Sequence, residues 1–153
     1  MFIVNVGEQW INEGMHPIPN NDSILIQITS PFSKHVLSPF MHDFNQIYRF
    51  KFDDISEHHI EIIKNLKDDK ILKEIKIIDD KQALSIAEAL IYAKNNNLNV
   101  IVNCQAGISR SAAIAEIACE LLGFEDRKDD SCLRHSNNLV KKMVGYYIQK
   151  IIA

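Results

Sequence analysis

Cys104 and Arg110, with Gln105-Ala106-Gly107-Ile108-Ser109 between them, are the residues whose types and spacing can do chemistry. Five intervening residues let a backbone curl so that successive N–H groups point at one spot as an anion nest, and a helix starting there adds its positive N-terminus. Gly107 permits the backbone angles that such a curl demands. Arg110 supplies a planar, permanently charged fork that binds two oxygens of one phosphate, a geometry that lysine lacks. Beside an arginine and a helix start a cysteine favours its thiolate, so Cys104 is the expected nucleophile. The chemistry this set implies is attack on a phosphoryl group.

Such an attack leaves an oxygen that a carboxylic acid must protonate, and the same group then activates water as a base. Asp54 is the expected acid and Asp53 the alternative, with Asp79 and Asp80 behind them. Adjacent residues at a strand end point in opposite directions, and the sequence does not say which faces the pocket. With three Cys and four Arg in 153 residues, a chance Cys-x5-Arg pair is expected about 0.08 times, so spacing needs its context to decide.

That context is a set of positioning elements. Asn99-Val-Ile-Val-Asn103 is short and β-branched, a strand leading into the loop. Ser111 to Leu122 follows as a helix, with Ile114, Ile117, Ala118 and Leu121 on one face and Gly123 after it. Before the strand, Asp79 or Asp80 caps a helix carrying Ala83, Ile86, Ala87, Leu90, Ile91 and Ala93, which ends at Asn95-Asn-Asn97. Phe2 to Val6 and Ile24 to Thr29 read as buried strands, and Gln46 to Phe52 alternates as a strand with one face buried. Between the first two, Gly14 to Asn21 reads as a surface loop. Residues 56 to 70 predict a peripheral helix capped by Ser56, with Ile60, Ile63 and Leu66 at helical spacing. A closing helix over 133 to 152 packs through Leu139, Met143, Tyr146 and Tyr147. Helices alternating with strands in this way predict an α/β domain.

Over residues 99 to 122, and in the run Cys104-Gln-Ala-Gly-Ile-Ser-Arg-Ser111 above all, the chain resembles the cysteine-based protein tyrosine phosphatase superfamily, most closely its dual-specificity branch. Phe52-Asp-Asp-Ile55 also looks like the segment that carries the family's general acid. The resemblance implies one domain over 1–153, an α/β fold with a central mixed, mostly parallel sheet flanked by helices, and no metal or other cofactor. It implies a cysteine-dependent phosphomonoester hydrolase acting on phosphotyrosine, with phosphoserine and phosphothreonine as further candidates, through a phosphocysteine. Cys104, Arg110, Asp54 and Ser111 are then catalytic, Ser111 stabilising the departing sulfur, and Gln105, Ala106, Gly107, Ile108, Ser109 and Arg110 bind the substrate phosphate. Two features depart from the family's pattern. The 50 positions from Asp54 to Cys104 call for an inserted helix over 56 to 78, and Asn103 stands where the family usually has histidine. Asn103 motivates a rival reading, a phosphate-binding module with weak catalysis. An asparagine near the start of a late helix braces the loop in the family; Asn137 and Asn138 are equally explained as caps, and stay outside the expected site.

Composition narrows the partners. A net charge of −3 with mixed acidic and basic runs predicts neither nucleic acid nor a membrane as partner, leaving a phosphorylated protein or peptide as the expected substrate. A phosphoinositide or an RNA 5′-phosphate would need cations beyond the loop, such as Lys34, Lys51 or Arg134, to converge on it. Without a basic flank the apolar start reads as a strand, and three cysteines without an export signal predict free thiols in the cytoplasm. Cys119 reads as a small buried residue, Cys132 as an incidental thiol, and His58-His59 as surface histidines rather than metal ligands. Lys67 to Lys70 and Glu125 to Asp130 read as solvated charge runs.

Overall fold

The computed structural model describes residues 1–13, 21–35, 44–66, 68–128 and 133–153. The surface loop expected over 14 to 21 lies almost wholly outside them, as does Cys132. In chain order the elements are β1 (Phe2–Gly7), α1 (Glu8–Asn12), β2 (Ser23–Thr29), β3 (Gln46–Lys51), α2 (Glu57–Leu66), α3 (Asp69–Glu74), α4 (Asp80–Asn95), β4 (Asn99–Cys104), α5 (Arg110–Leu122), β5 (Glu125–Asp126) and α6 (Asn138–Ile152).

The five strands form one sheet in the order β3-β2-β4-β1-β5, and every pairing is parallel. The chain is therefore α/β with helices flanking a parallel sheet, and parallel strands buried on both faces explain the near-continuous Ile and Val of β1, β2 and β4. Alternation sends Ile3, Ile24, Ile26, Val100, Val102 and Cys104 to the core under α4, α5 and α6, and Phe2, Val4, Val6, Leu25 and Ile101 to a smaller core with Ile11 of α1. The strand order reverses around central β4, and the crevice at the carboxyl end of such a strand is where open α/β sheets bind ligands.

Sequence and structure differ in three places, and the structure settles one alternative. The helix expected over 56 to 70 is two helices, because Asp68 accepts from the N–H groups of Lys70 and Ile71 and starts α3 afresh. Ser56 does cap α2, its hydroxyl accepting from the His59 N–H at 3.4 Å. The charged run from Glu125 contains β5, which adds a short strand beside β1. Tyr146 of α6 is exposed; Val140, Val144 and Ile148 are the buried face, with Leu139, Met143 and Tyr147 at its flanks. Asp79, rather than Asp80, caps α4 through a capping box with Gln82.

Candidate active site

β4 ends at Cys104 beside Gly7, the last residue of β1, and the chain then curls into α5 at Arg110. Four carbonyls of this curl are pinned from outside. Gln105 O accepts from Glu8 N at 3.1 Å, Ile108 O from His135 N at 3.0 Å, and Ser109 O from Asn137 N at 3.2 Å. Gly107 O accepts from the side chain of Asn5, whose Nδ2 lies 2.6 Å away. In a planar trans peptide the next N–H points opposite to the carbonyl, so those of Ala106, Ile108, Ser109 and Arg110 face the hollow of the loop. Ser109, at the N-cap of α5, makes no side-chain capping bond, so the helix presents the positive end of its dipole and its first N–H groups at the same point.

Gly107 takes φ +72°, and a Cβ there would lie 2.6 Å from the Gly7 nitrogen, so both conformation and space require glycine. Gln105, Ala106, Ile108, Ser109 and Arg110 line the cavity, but Gly107 turns against the backbone of β1 instead.

The cavity measures about 640 Å³ and also takes in Cys104, Asp54, Ser30, Ser56, His59, His135, Ser136 and Asn137. The Cys104 sulfur lies 3.2 Å from the hydroxyl of fully buried Ser111. Arg110 donates from one terminal nitrogen to Phe52 O at 2.8 Å and to the Ser30 hydroxyl at 3.4 Å. Its buried Nε has no partner among the described residues, which leaves that edge of the guanidinium for a ligand.

The two aspartates separate. Asp54 Oδ1 accepts from the Ser109 hydroxyl at 2.7 Å and from Asn137 Nδ2 at 2.8 Å, which fixes its carboxylate at the cavity. Asp53 is clasped elsewhere: its N–H donates to Lys76 O at 2.7 Å and its Oδ2 accepts from Lys76 N at 2.8 Å. Asp79 and Asp80 belong to the start of α4 and do not line the cavity.

Asn137 is the residue that the sequence left aside. It caps α6 by accepting from Val140 N and also ties Asp54, Ile55 and Ser109 together, so the two readings of it were compatible. His59, the third residue of α2, also lines the cavity; a histidine three positions after the Ser56 cap gives no sign of that in sequence. Asn103 is buried on the face opposite Cys104, and its Oδ1 has no partner among the described residues. Neither Lys34, Lys51 nor Arg134 lines the cavity; the Arg134 guanidinium is paired with Asp126 and Asn5.

Cys119 is half-buried in α5, and burial together with the negative charge of Asp126 pushes its thiol up to about 11. Among the described residues no cluster of His, Cys, Asp and Glu has the make-up to hold a metal, and no helix is long and apolar enough to cross a membrane. A sulfur nucleophile, an inward ring of N–H groups, an open arginine edge and a fixed carboxylate together equip the cavity to hold a tetrahedral oxyanion and exchange protons with it. No family model, no curated protein and no solved structure matches the chain.

Proposed function

We propose that this protein hydrolyses phosphomonoesters through a phosphocysteine, with phosphotyrosine in a protein or peptide as the leading substrate and phosphoserine or phosphothreonine as further candidates. The observation that carries this reading is the convergence of Cys104, Arg110 and Asp54 on one cavity floored by inward N–H groups. The Cys104 thiolate attacks phosphorus, the P–S bond forms as the ester P–O bond breaks, and Asp54 gives its proton to the leaving oxygen. Arg110 and the loop N–H groups hold the equatorial oxygens. Water then attacks phosphorus and gives its proton to Asp54. The sulfur leaves as thiolate, accepting from the Ser111 hydroxyl, and inorganic phosphate departs.

Purified protein should hydrolyse an aryl phosphate without added metal, and Cys104→Ser should lower kcat by about 10⁵-fold or more. Full activity in that variant sinks the assignment. A second reading, phosphate binding without turnover, draws on buried Asn103 directly before the nucleophile, with its unpaired Oδ1. An acid-quench experiment separates the two, because only turnover yields a burst of phosphocysteine.

A further inference from the structure

Asn5 is a polar residue, 5% exposed, inside the apolar strand Phe2–Gly7, and neither its strand nor its neighbours in sequence require it. Its amide is shared between two tasks. Nδ2 donates to Gly107 O at 2.6 Å, and Oδ1 accepts from the Arg134 guanidinium. Arg134 in turn grips Asp126 of β5 with both terminal nitrogens, at 2.6 and 2.9 Å, and its side chain is 8% exposed. Asp126, Arg134 and Asn5 thus form one relay that runs from the exposed strand β5 to the buried amide beside the loop.

The place where it ends matters. The other three pinned carbonyls of the loop are held by backbone N–H groups, whereas Gly107 O is held by a side chain. Gly107 occupies the left-handed region at φ +72°, and a glycine crosses φ/ψ space with little steric penalty, so its own conformational preference does little to fix the peptide that follows. Rotation would turn Gly107 O into the hollow and Ile108 N–H out of it, replacing a donor to the anion by an acceptor that repels it.

We infer that Asn5, oriented by the Arg134–Asp126 pair, is a positioning residue that holds the Gly107–Ile108 peptide in its anion-binding orientation. Arg134 fixes which end of the amide faces Gly107, since a guanidinium has donors alone and selects Oδ1, leaving Nδ2 for the carbonyl. The inference deepens the phosphatase reading and rests on it for catalysis, but its central claim concerns oxyanion affinity.

Asn5→Asp separates this role from a structural one. The carboxylate still accepts from Arg134, so the thermal midpoint should stay within a few degrees of wild type, yet it places an acceptor against Gly107 O. Tungstate affinity measured by calorimetry should fall about tenfold or more, with KM for an aryl phosphate rising more than kcat falls. Asn5→Leu removes both bonds and should lose affinity and stability together; Arg134→Lys, which keeps one donor for Asn5, should lie between Arg134→Met and wild type in tungstate affinity. Unchanged tungstate affinity in Asn5→Asp overturns the inference while leaving the phosphatase reading intact. Wild type that binds tungstate but turns over no phosphomonoester overturns the catalytic reading, and a weakened Asn5→Asp still supports the relay. Wild type that binds no tungstate overturns both.

Discussion

The loop from Cys104 to Arg110 and helix α2 border the same cavity, and they are held in opposite ways. The loop is pinned by hydrogen bonds to β1, α1 and the segment entering α6, and α5 behind it buries Ala112, Ala113, Ile114, Ala115 and Ala118 completely. Helix α2 has no buried residue; Ile62 is 44% exposed and Leu66 59%, and Glu57 meets Lys142 in an exposed ion pair. The floor of the site therefore cannot shift without breaking buried hydrogen bonds and core contacts, while the wall carrying Ser56 and His59 rests on little. The floor is thus the firmly held part of the cavity, and substitutions on the wall should cost less stability than substitutions beneath the floor.

The sharpest way to break this contrast is at the seam between floor and wall. Asp54→Asn should slow turnover by about 10²- to 10⁴-fold with substrates whose leaving group needs a proton, against less than about tenfold for Asp53→Asn, as read by kcat on alkyl and aryl phosphates. The reverse order would mean that the clasp between Asp53 and Lys76 opens in solution. Stability gives the next measure. Ile114→Ala on α5 should cost about 2 to 5 kcal/mol in denaturant unfolding, and Ile62→Ser on α2 within about 0.5 kcal/mol.

Smaller effects test the supports of the floor. Burial alone would raise the Asp126 carboxyl, but the hydrogen bonds and charge of Arg134 outweigh it and hold the group below the usual carboxylate range. A depressed folded value stabilises the protein above the unfolded value and loses that contribution as pH falls through the folded one. Asp126→Asn should therefore cost about 0.5 to 1 kcal/mol at neutral pH, allowing for solvent screening of a partly exposed pair, and the difference from wild type should shrink below pH about 4 in chemical denaturation. The smallest effect is a contrast of two thiols. With Cys119 raised to about 11 by burial, iodoacetamide at neutral pH should label the Cys104 peptide well before the Cys119 peptide, as followed by peptide mass mapping.

The parts of the site that sequence exposes are those whose constraint is local. A strand, five residues, an arginine and a helix are contiguous, and Gly107 is required by the curl itself, so the loop reads directly from Asn99 to Leu122. The fold class is legible for a similar reason, since strands buried on both faces write themselves as runs of Ile and Val. The helix ends at Asp79 and Asn137 carry cap residues and are legible too. Illegible parts depend on partners far along the chain. Asp54 and Asp53 differ because Ser109 and Asn137, 55 and 83 positions away, hold the first while Lys76 clasps the second. The exposed Tyr146 was unreadable because an apolar side chain on a helix does not reveal whether another element covers it.

By itself the sequence determined the α/β class, the strand-to-helix setting of Cys104 and Arg110 and the need for glycine at 107, because backbone geometry and side-chain periodicity act over a few residues. Only the tertiary structure decided which aspartate shares the cavity with the sulfur, that Asn137 braces it, and that Asn5 reaches the loop from the neighbouring strand. Parallel pairing places Gly7 beside Cys104 across 97 positions of chain, and no local pattern encodes a hydrogen bond made at that distance.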